Sequence, residues 1–100
     1  MADEVVNLSV GDGHRVRLKG LGTAGYRWVP LVEGDEGVAD VTDAGLAEPA
    51  NKRIGTSADE LFTIAAVGPG VTRVRFTQRR PFEPDDVPPA NERVVEVRVT

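Results

Sequence analysis

The chain has 100 residues, which is enough for one small domain spanning residues 1–100. Its 12 basic and 16 acidic residues give a net charge of −4, which argues against a nucleic acid or an anionic membrane as partner. The absence of cysteine excludes disulfides, thiolate metal sites and a cysteine nucleophile, and a single histidine excludes a multi-histidine metal centre. We therefore expect no metal and no cofactor.

The composition favours β-strands separated by turns. There are 16 Val and 2 Ile against 6 Leu, together with 7 Thr, 11 Gly and 7 Pro. No apolar run is long enough for a signal peptide or for a membrane-spanning helix. The default expectation is a cytoplasmic protein.

Alternation of apolar and polar residues predicts seven short strands. In chain order they cover residues 4–10, 14–18, 26–31, 38–41, 61–67, 71–78 and 92–99. The turn at Gly11-Asp12-Gly13 predicts that the first two strands form a hairpin. Strands at this spacing are typical of an all-β sandwich. The core is predicted to contain Val16, Leu18, Phe62, Ile64, Val74, Phe76, Val95, Val97 and Val99.

Two long segments without periodicity, 43–57 and 79–91, are predicted to be loops, and loops of this length are often functional. The second contains Arg80-Pro81-Phe82, which places an aromatic ring and a guanidinium group on a stiff backbone. Phe82 either contacts a partner or folds back onto the core.

Several motifs that could carry chemistry fail their context tests. Residues 20–25 match G-x-G-x-x-G, but a strand follows instead of the helix that a dinucleotide site requires. No nucleophile motif surrounds Ser9 or Ser57, so neither makes a catalytic pair with His14, and we expect no enzyme. The acidic pairs at 35–36 and 85–86 lack the ligand spacing of a calcium loop.

A local basic stripe interrupts the acidic composition. On a strand face it would protect a sheet edge or meet an acidic partner surface. Its members are Arg73, Arg75, Arg79 and Arg80.

Three motifs, in order, resemble the chagasin-type inhibitors of papain-like cysteine proteases (family I42). Residues 21–28, Leu-Gly-Thr-Ala-Gly-Tyr-Arg-Trp, correspond to the family's Asn-Pro-Thr-Thr-Gly-Tyr-x-Trp. Residues 55–58, Gly-Thr-Ser-Ala, stand at its Gly-x-Gly-Gly, and residues 80–83 satisfy its Arg-Pro-Trp/Phe-Glu in full. The resemblance covers nearly the whole chain, with Leu-Gly replacing Asn-Pro, Ala24 replacing the second Thr and Ser-Ala replacing the paired glycines.

The resemblance implies an immunoglobulin-like antiparallel β-sandwich that acts as a monomer and inhibits papain-like cysteine proteases reversibly. It implies that residues 23–25 cover the protease's catalytic cysteine and histidine, while residues 55–58 and 80–82 hold the flanking walls. The implied protease-binding residues are Gly22, Thr23, Ala24, Gly25, Gly55, Thr56, Ser57, Ala58, Arg80, Pro81 and Phe82.

The alternative is an immunoglobulin-like adhesion or interaction module without protease inhibition, which would use a sheet face or edge. The two hypotheses differ in one geometric expectation. An inhibitor requires the loops near residues 21–25, 55–58 and 80–83 to converge at one end of the fold, whereas the module does not.

Overall fold

The computed structural model describes residues 2–47, 57–84 and 86–100. Within them no helix is long and apolar enough to cross a membrane. The strands are β1 (Glu4–Leu8), β2 (Gly13–Leu18), β3 (Arg27–Glu33), β4 (Ala39–Leu46), β5 (Glu60–Ala66), β6 (Gly70–Arg79) and β7 (Asn91–Val99), with a 3-10 turn at Gly22–Ala24.

The strands form two packed sheets, which confirms the predicted all-β sandwich. The larger sheet has the order β1-β7-β6-β3 and the smaller has the order β2-β5-β4. All pairs are antiparallel except β1 with β7, which run parallel. The first strand is thus an edge strand held by the last.

The predicted hairpin of the first two strands is wrong. β1 pairs with β7 and β2 pairs with β5, so the turn between them passes from one sheet to the other. Its backbone bonds to β5 instead: the Gly11 N–H donates to the Ala66 carbonyl at 2.9 Å, and the Ala66 N–H donates to the Asp12 carbonyl at 2.8 Å. Turn residues specify that the chain reverses, but not which strand each arm joins.

The predicted loop 43–57 is wrong at its start, because β4 continues to Leu46. Asp43 and Gly45, which favour turns, form a β-bulge within the strand instead. Gly45 has a φ of 91°, and its N–H donates to Asp43 Oδ1 at 2.7 Å. Residues 48–56 of that prediction lie outside the described residues.

The core lies between the inner faces of the sheets and contains every residue predicted for it. At its centre, the Phe62 and Phe76 rings lie 5.3 Å apart at a tilted angle. Val6 and Leu8 of β1 also pack against the core, whereas Val10 lies beyond the strand and is exposed.

The strand register places three connections at one end of the sandwich. In the smaller sheet, β2 and β4 both finish opposite Glu60, the first residue of β5. In the larger sheet, β3 starts opposite Arg79, where β6 finishes, and β7 starts opposite Gln78. We call this the loop end, with loop 1 (19–26), loop 2 (47–59) and loop 3 (80–90); the turns 9–12, 34–38 and 67–69 form the distal end.

Candidate functional site

Loop 1 is a short backbone-bonded turn. The 3-10 turn Gly22–Ala24 ends at Gly25, whose φ of 87° suits glycine, and the Gly25 N–H donates to the Gly22 carbonyl at 3.0 Å. The Tyr26 N–H closes the loop by donating to the Leu21 carbonyl at 3.1 Å. β3 follows directly, so this glycine-rich stretch does not begin the helix that a dinucleotide site needs.

Arg80 connects loop 1 to loop 3. Its Nε donates to the Ala24 carbonyl at 3.2 Å, and its guanidinium carbon lies 4.7 Å from the centre of the Tyr26 ring. The first contact fixes the tip of loop 1, and the second is a cation–π interaction at the point where loop 1 becomes β3. Residues 24 and 80, both predicted for the site, are therefore brought together.

The start of loop 3 is a compact turn that presents Phe82 to solvent. The Glu83 N–H donates to the Arg80 carbonyl at 3.1 Å, which folds the backbone around Pro81 and Phe82. The Phe82 side chain is 96% exposed, so it does not fold back onto the core. Further along, Arg79 Nη1 donates to the Val87 carbonyl at 2.7 Å and ties the loop to the end of β6.

Loop 2 is described at its second half, where Ser57 and Ala58 precede β5. The predicted site residues Gly55 and Thr56 lie outside the described residues. Loop 1 contacts the described part closely: a Cβ added at Gly20 would lie 1.8 Å from the Ala58 carbonyl oxygen. Only glycine permits this backbone approach. The described parts of all three loops therefore meet at one end of the fold.

A layer of polar contacts, which we call the base layer, supports the loops from below. The Lys19 carbonyl accepts hydrogen bonds from Trp28 Nε1 at 3.0 Å and Gln78 Nε2 at 3.1 Å. Gln78 is fully buried, and its Oε1 accepts a 2.7 Å hydrogen bond from Asn91 Nδ2. The Trp28 N–H donates to both carboxylate oxygens of Glu60, at 3.2 and 3.3 Å, and so joins the two sheets.

Sequence reasoning missed two members of this layer, Glu60 and Gln78. Both occupy inward-facing positions in the alternation of their strands, in line with core residues such as Phe62 and Phe76. The signal for them was a polar residue at the end of a strand, in a position that faces the core. Such a buried polar group needs a hydrogen-bonding partner.

Two neighbouring carboxylates at this end have opposite electrostatic environments. Burial raises the pKa of Glu60, although the Trp28 N–H opposes that shift. The hydrogen bond from Arg17, at 2.7 Å, lowers the pKa of Asp59. Asp59 is therefore the more readily ionised of the two.

The predicted basic stripe is divided among separate local contacts. Arg75 forms ion pairs with Glu33 and Glu92, and the Glu33 hydrogen bond raises its pKa. Arg79 and Arg80 are engaged within the loop end, as described above. Three of the four arginines of the stripe are thus engaged in local contacts.

The described residues contain no group of three or more His, Asp and Glu side chains placed to hold a metal ion. At the distal end, Asp35 of the first acidic pair accepts the Gly37 N–H at 2.8 Å, a contact that serves the turn. Asp85, in the second pair, lies outside the described residues.

The fold and the loop end together define a β-sandwich that presents neighbouring loops on a polar, internally bonded support. The family model for the chagasin family peptidase inhibitor I42 matches residues 7–99. The chain belongs to this family of cysteine protease inhibitors and is not an enzyme.

Solved structures of low sequence identity share the immunoglobulin-like fold. The cysteine protease inhibitor EhICP2 from Entamoeba histolytica has a TM-score of 0.74 at 17% identity, over 99% of this chain and 87% of its own. PbICP-C, solved in complex with falcipain-2, has a TM-score of 0.72 at 23% identity, over 97% of this chain and 88% of its own. Amebosin has a TM-score of 0.67 at 24% identity, over 99% of this chain and 90% of its own. No curated protein matches the sequence significantly.

Proposed function

We propose that this chain inhibits papain-family cysteine proteases reversibly, by covering the active-site cleft with its three loops. Membership of a family of peptidase inhibitors supports the inhibitory activity. The observation that carries the three-loop mechanism is the Arg80 contact: it joins loop 1 to loop 3 and leaves Phe82 96% exposed beside them. Aromatic side chains, Phe included, are enriched at the centres of protein–protein interfaces.

Loop 1 enters the cleft in this proposal. Thr23, Ala24 and Gly25 cover the protease's cysteine–histidine pair and exclude both substrate and water. Space is open where a side chain at Gly25 would stand, so the backbone there can come close to a partner. No bond is made or broken, because this segment supplies shape and hydrogen-bonding backbone instead of a reactive group.

Loops 2 and 3 contact the cleft walls on either side. Gly55, Thr56, Ser57 and Ala58 take one wall, and residues 80–82 take the other. Phe82 supplies apolar area, and Pro81 lowers the entropy lost when the loop docks. Besides contacting the cleft wall, Arg80 keeps loops 1 and 3 at a fixed separation through its contacts with loop 1.

Titration of active papain with the purified chain tests the proposal. Residual hydrolysis of a fluorogenic peptide should fall as the chain is added and recover on dilution, and mass spectrometry should find the chain uncleaved. If the folded chain at micromolar concentration leaves papain, and a cathepsin-L-like enzyme, fully active, the proposal is wrong.

One observation favours the alternative of an interaction module that uses a sheet face. Val29 and Leu31 lie on the outer face of edge strand β3 and are 50% and 59% exposed. Addition of a partner's strand to the free edge of β3 is disfavoured. The Trp28 N–H, which points to that edge, already donates to Glu60, and Pro30, which points the same way, has no N–H to donate. Loss of partner binding in a Val29→Thr/Leu31→Thr variant that still inhibits papain would establish the module as a separate activity.

A further inference from the structure

A groove opens between the two sheets beside loop 1, at a place where β1 does not reach. β1 pairs only with residues 95–99 of β7, so the first residues of β7 have no neighbouring strand on that side. The groove has a volume of about 720 Å³, within the usual range of about 300–1,000 Å³ for binding clefts. Its lining includes Leu18, Lys19, Leu21, Trp28, Gln78 and Arg93.

The floor of the groove needs no hydrogen bonds from a ligand. Leu18 is buried, and the polar atoms of Trp28 and Gln78 are already bonded to the Lys19 carbonyl and to Asn91. Recognition by the floor would therefore rest on shape and apolar contact.

The rim, in contrast, offers charge. Arg93 alternates with Val95, Val97 and Val99, so it points to the core side of β7 and into the groove where the core has ended. Arg93 and the exposed Lys19 stand outside the ion pairs among the described residues, and the charge of Lys19 helps to lower the pKa of the nearby Asp59. The two carboxylates that line the groove are committed elsewhere, Asp59 to Arg17 and Glu92 to Arg75.

We propose that this groove binds an extended peptide segment carrying carboxylate side chains, contributed by the protein on which the loop end docks. Lys19 and Arg93 pair with the carboxylates, and the peptide's body lies over Trp28. Two cations that stand outside the ion pairs of the described residues, above a floor without charged groups, favour an acidic segment over a neutral or basic one. The groove also continues from Leu21 of loop 1, so a partner seated on the loops would pass over it. Placing the segment on that partner rests on the proposed function.

A peptide titration tests the groove without any protease. An N-acetylated, C-amidated pentapeptide with two Asp residues is added to the 15N-labelled chain, and an otherwise identical peptide with two Asn residues serves as the neutral probe. At about 1 mM the acidic peptide should shift the amide signals of Lys19, Leu21, Asn91 and Arg93 and the Gln78 side-chain amide. The neutral peptide should shift them at least about tenfold less, and about 0.3 M NaCl should weaken binding severalfold.

Two variants separate the groove from general positive charge. Lys19→Gln/Arg93→Gln should lower the affinity for the acidic peptide about tenfold. Arg15→Gln removes a cation from the exposed face of β2, outside the groove, and should leave that affinity unchanged. Equal binding of both peptides, no shift with either, or shifts centred on Arg15 would overturn the proposal. Absence of papain inhibition by the unaltered chain would instead overturn the proposed function and leave the peptide result standing.

Discussion

The two ends of the sandwich differ in how their separate elements are linked to one another. At the distal end, main-chain groups bond to one another across the turns: the Val67 N–H donates to the Val38 carbonyl at 2.9 Å, and the Thr100 N–H donates to the Leu8 carbonyl at 2.9 Å. Short carboxylate side chains cap these turns, as when Asp12 accepts the Ser9 N–H at 2.9 Å. The backbone polar groups there are largely used within the fold.

The loop end also has main-chain bonds within its loops, such as that from the Tyr26 N–H to the Leu21 carbonyl, but there long side chains add links between separate elements. Trp28, Glu60 and Gln78 bond the strand ends below the loops, and Arg80 spans loops 1 and 3. Such contacts fix where each loop starts and finishes without fixing every residue between. The comparison indicates that the distal end maintains the fold, while the loop end holds exposed residues in a set position, which is what the proposed function requires.

The sharpest test of this division is Phe82→Ala. Because Phe82 is almost fully exposed, its removal should leave the thermal midpoint unchanged. Inhibition of papain should weaken by about 3 kcal/mol, on the order of 100-fold, as expected for an aromatic hot spot. The matched control is Val10→Ala at the distal end, which removes an exposed apolar side chain and should leave the inhibition constant unchanged. Equal effects of the two variants would contradict the comparison.

Gly20→Ala should damage the loop end through its backbone. The added Cβ would overlap the Ala58 carbonyl, and moving loop 1 away from loop 2 should cost about 2–3 kcal/mol of unfolding free energy in urea titrations. Gly68→Ala is the distal counterpart, because its Cβ would lie 2.6 Å from the Gly37 carbonyl oxygen. Both should lose stability, but among the fully folded molecules only the Gly20 variant should inhibit more weakly.

The bridge between loops 1 and 3 should show as coupling between two residues. Arg80→Gln and Tyr26→Leu should each weaken papain inhibition about tenfold. Because the guanidinium lies over the Tyr26 ring, the double variant should lose about 1 kcal/mol less than the sum of the two single losses. Strict additivity in the inhibition constants would show that Arg80 acts on the protease alone.

The smallest expected effect concerns Glu60 and pH. Burial raises its pKa in the folded chain above the ordinary value of 4.5, so the stability it contributes is present below about pH 4.5 and is lost as pH rises through the raised pKa. Glu60→Gln keeps an acceptor for the Trp28 N–H and should raise the thermal midpoint by roughly 2–4 °C at neutral pH, with no gain at pH 4.

Asp59→Asn is the counterpart with the opposite sign. Arg17 lowers the pKa of Asp59, so its contribution is present above the ordinary value of 3.8 and is lost as pH falls through the lowered pKa. The variant should be less stable than the unaltered chain at neutral pH and equally stable in strong acid. The same pH trend in both variants would contradict this assignment of the two carboxylates.

What the sequence predicted well is what alternation controls. Phe62 and Ile64 in β5, and Val74 and Phe76 in β6, are buried as the alternation predicts. The side chains of a strand alternate between its two faces, so every second residue faces the core. Which strands pair depends on residues far apart in the sequence. The turn at Gly11–Gly13 therefore does not indicate that β1 pairs with β7. Asp43 and Gly45 favour a change of backbone direction in a β-bulge as much as in a loop, so the sequence does not distinguish the two.

The candidate site was predictable only through its motifs. The resemblance implied that residues 22–25 and 80–82 lie near each other, and Arg80 contacts Ala24 in the structure, whereas their binding to a protease stays a prediction. The contacts that make them neighbours depend on register across both sheets, and the base layer depends on two polar residues whose partners lie 32 and 59 residues away in sequence. No local pattern contains that information.

The parallel pairing of β1 with β7 has a consequence for the order of folding. The Val94 N–H bonds to a residue 91 positions away, so β1 can dock only after the other strands have closed almost the whole chain into one loop. β1 should therefore form late and detach first, with low protection of its amides from hydrogen exchange. While it is detached, β7 presents a free edge that a second molecule's β1 fits equally well, which makes exchange of this strand the expected route to dimers at high concentration.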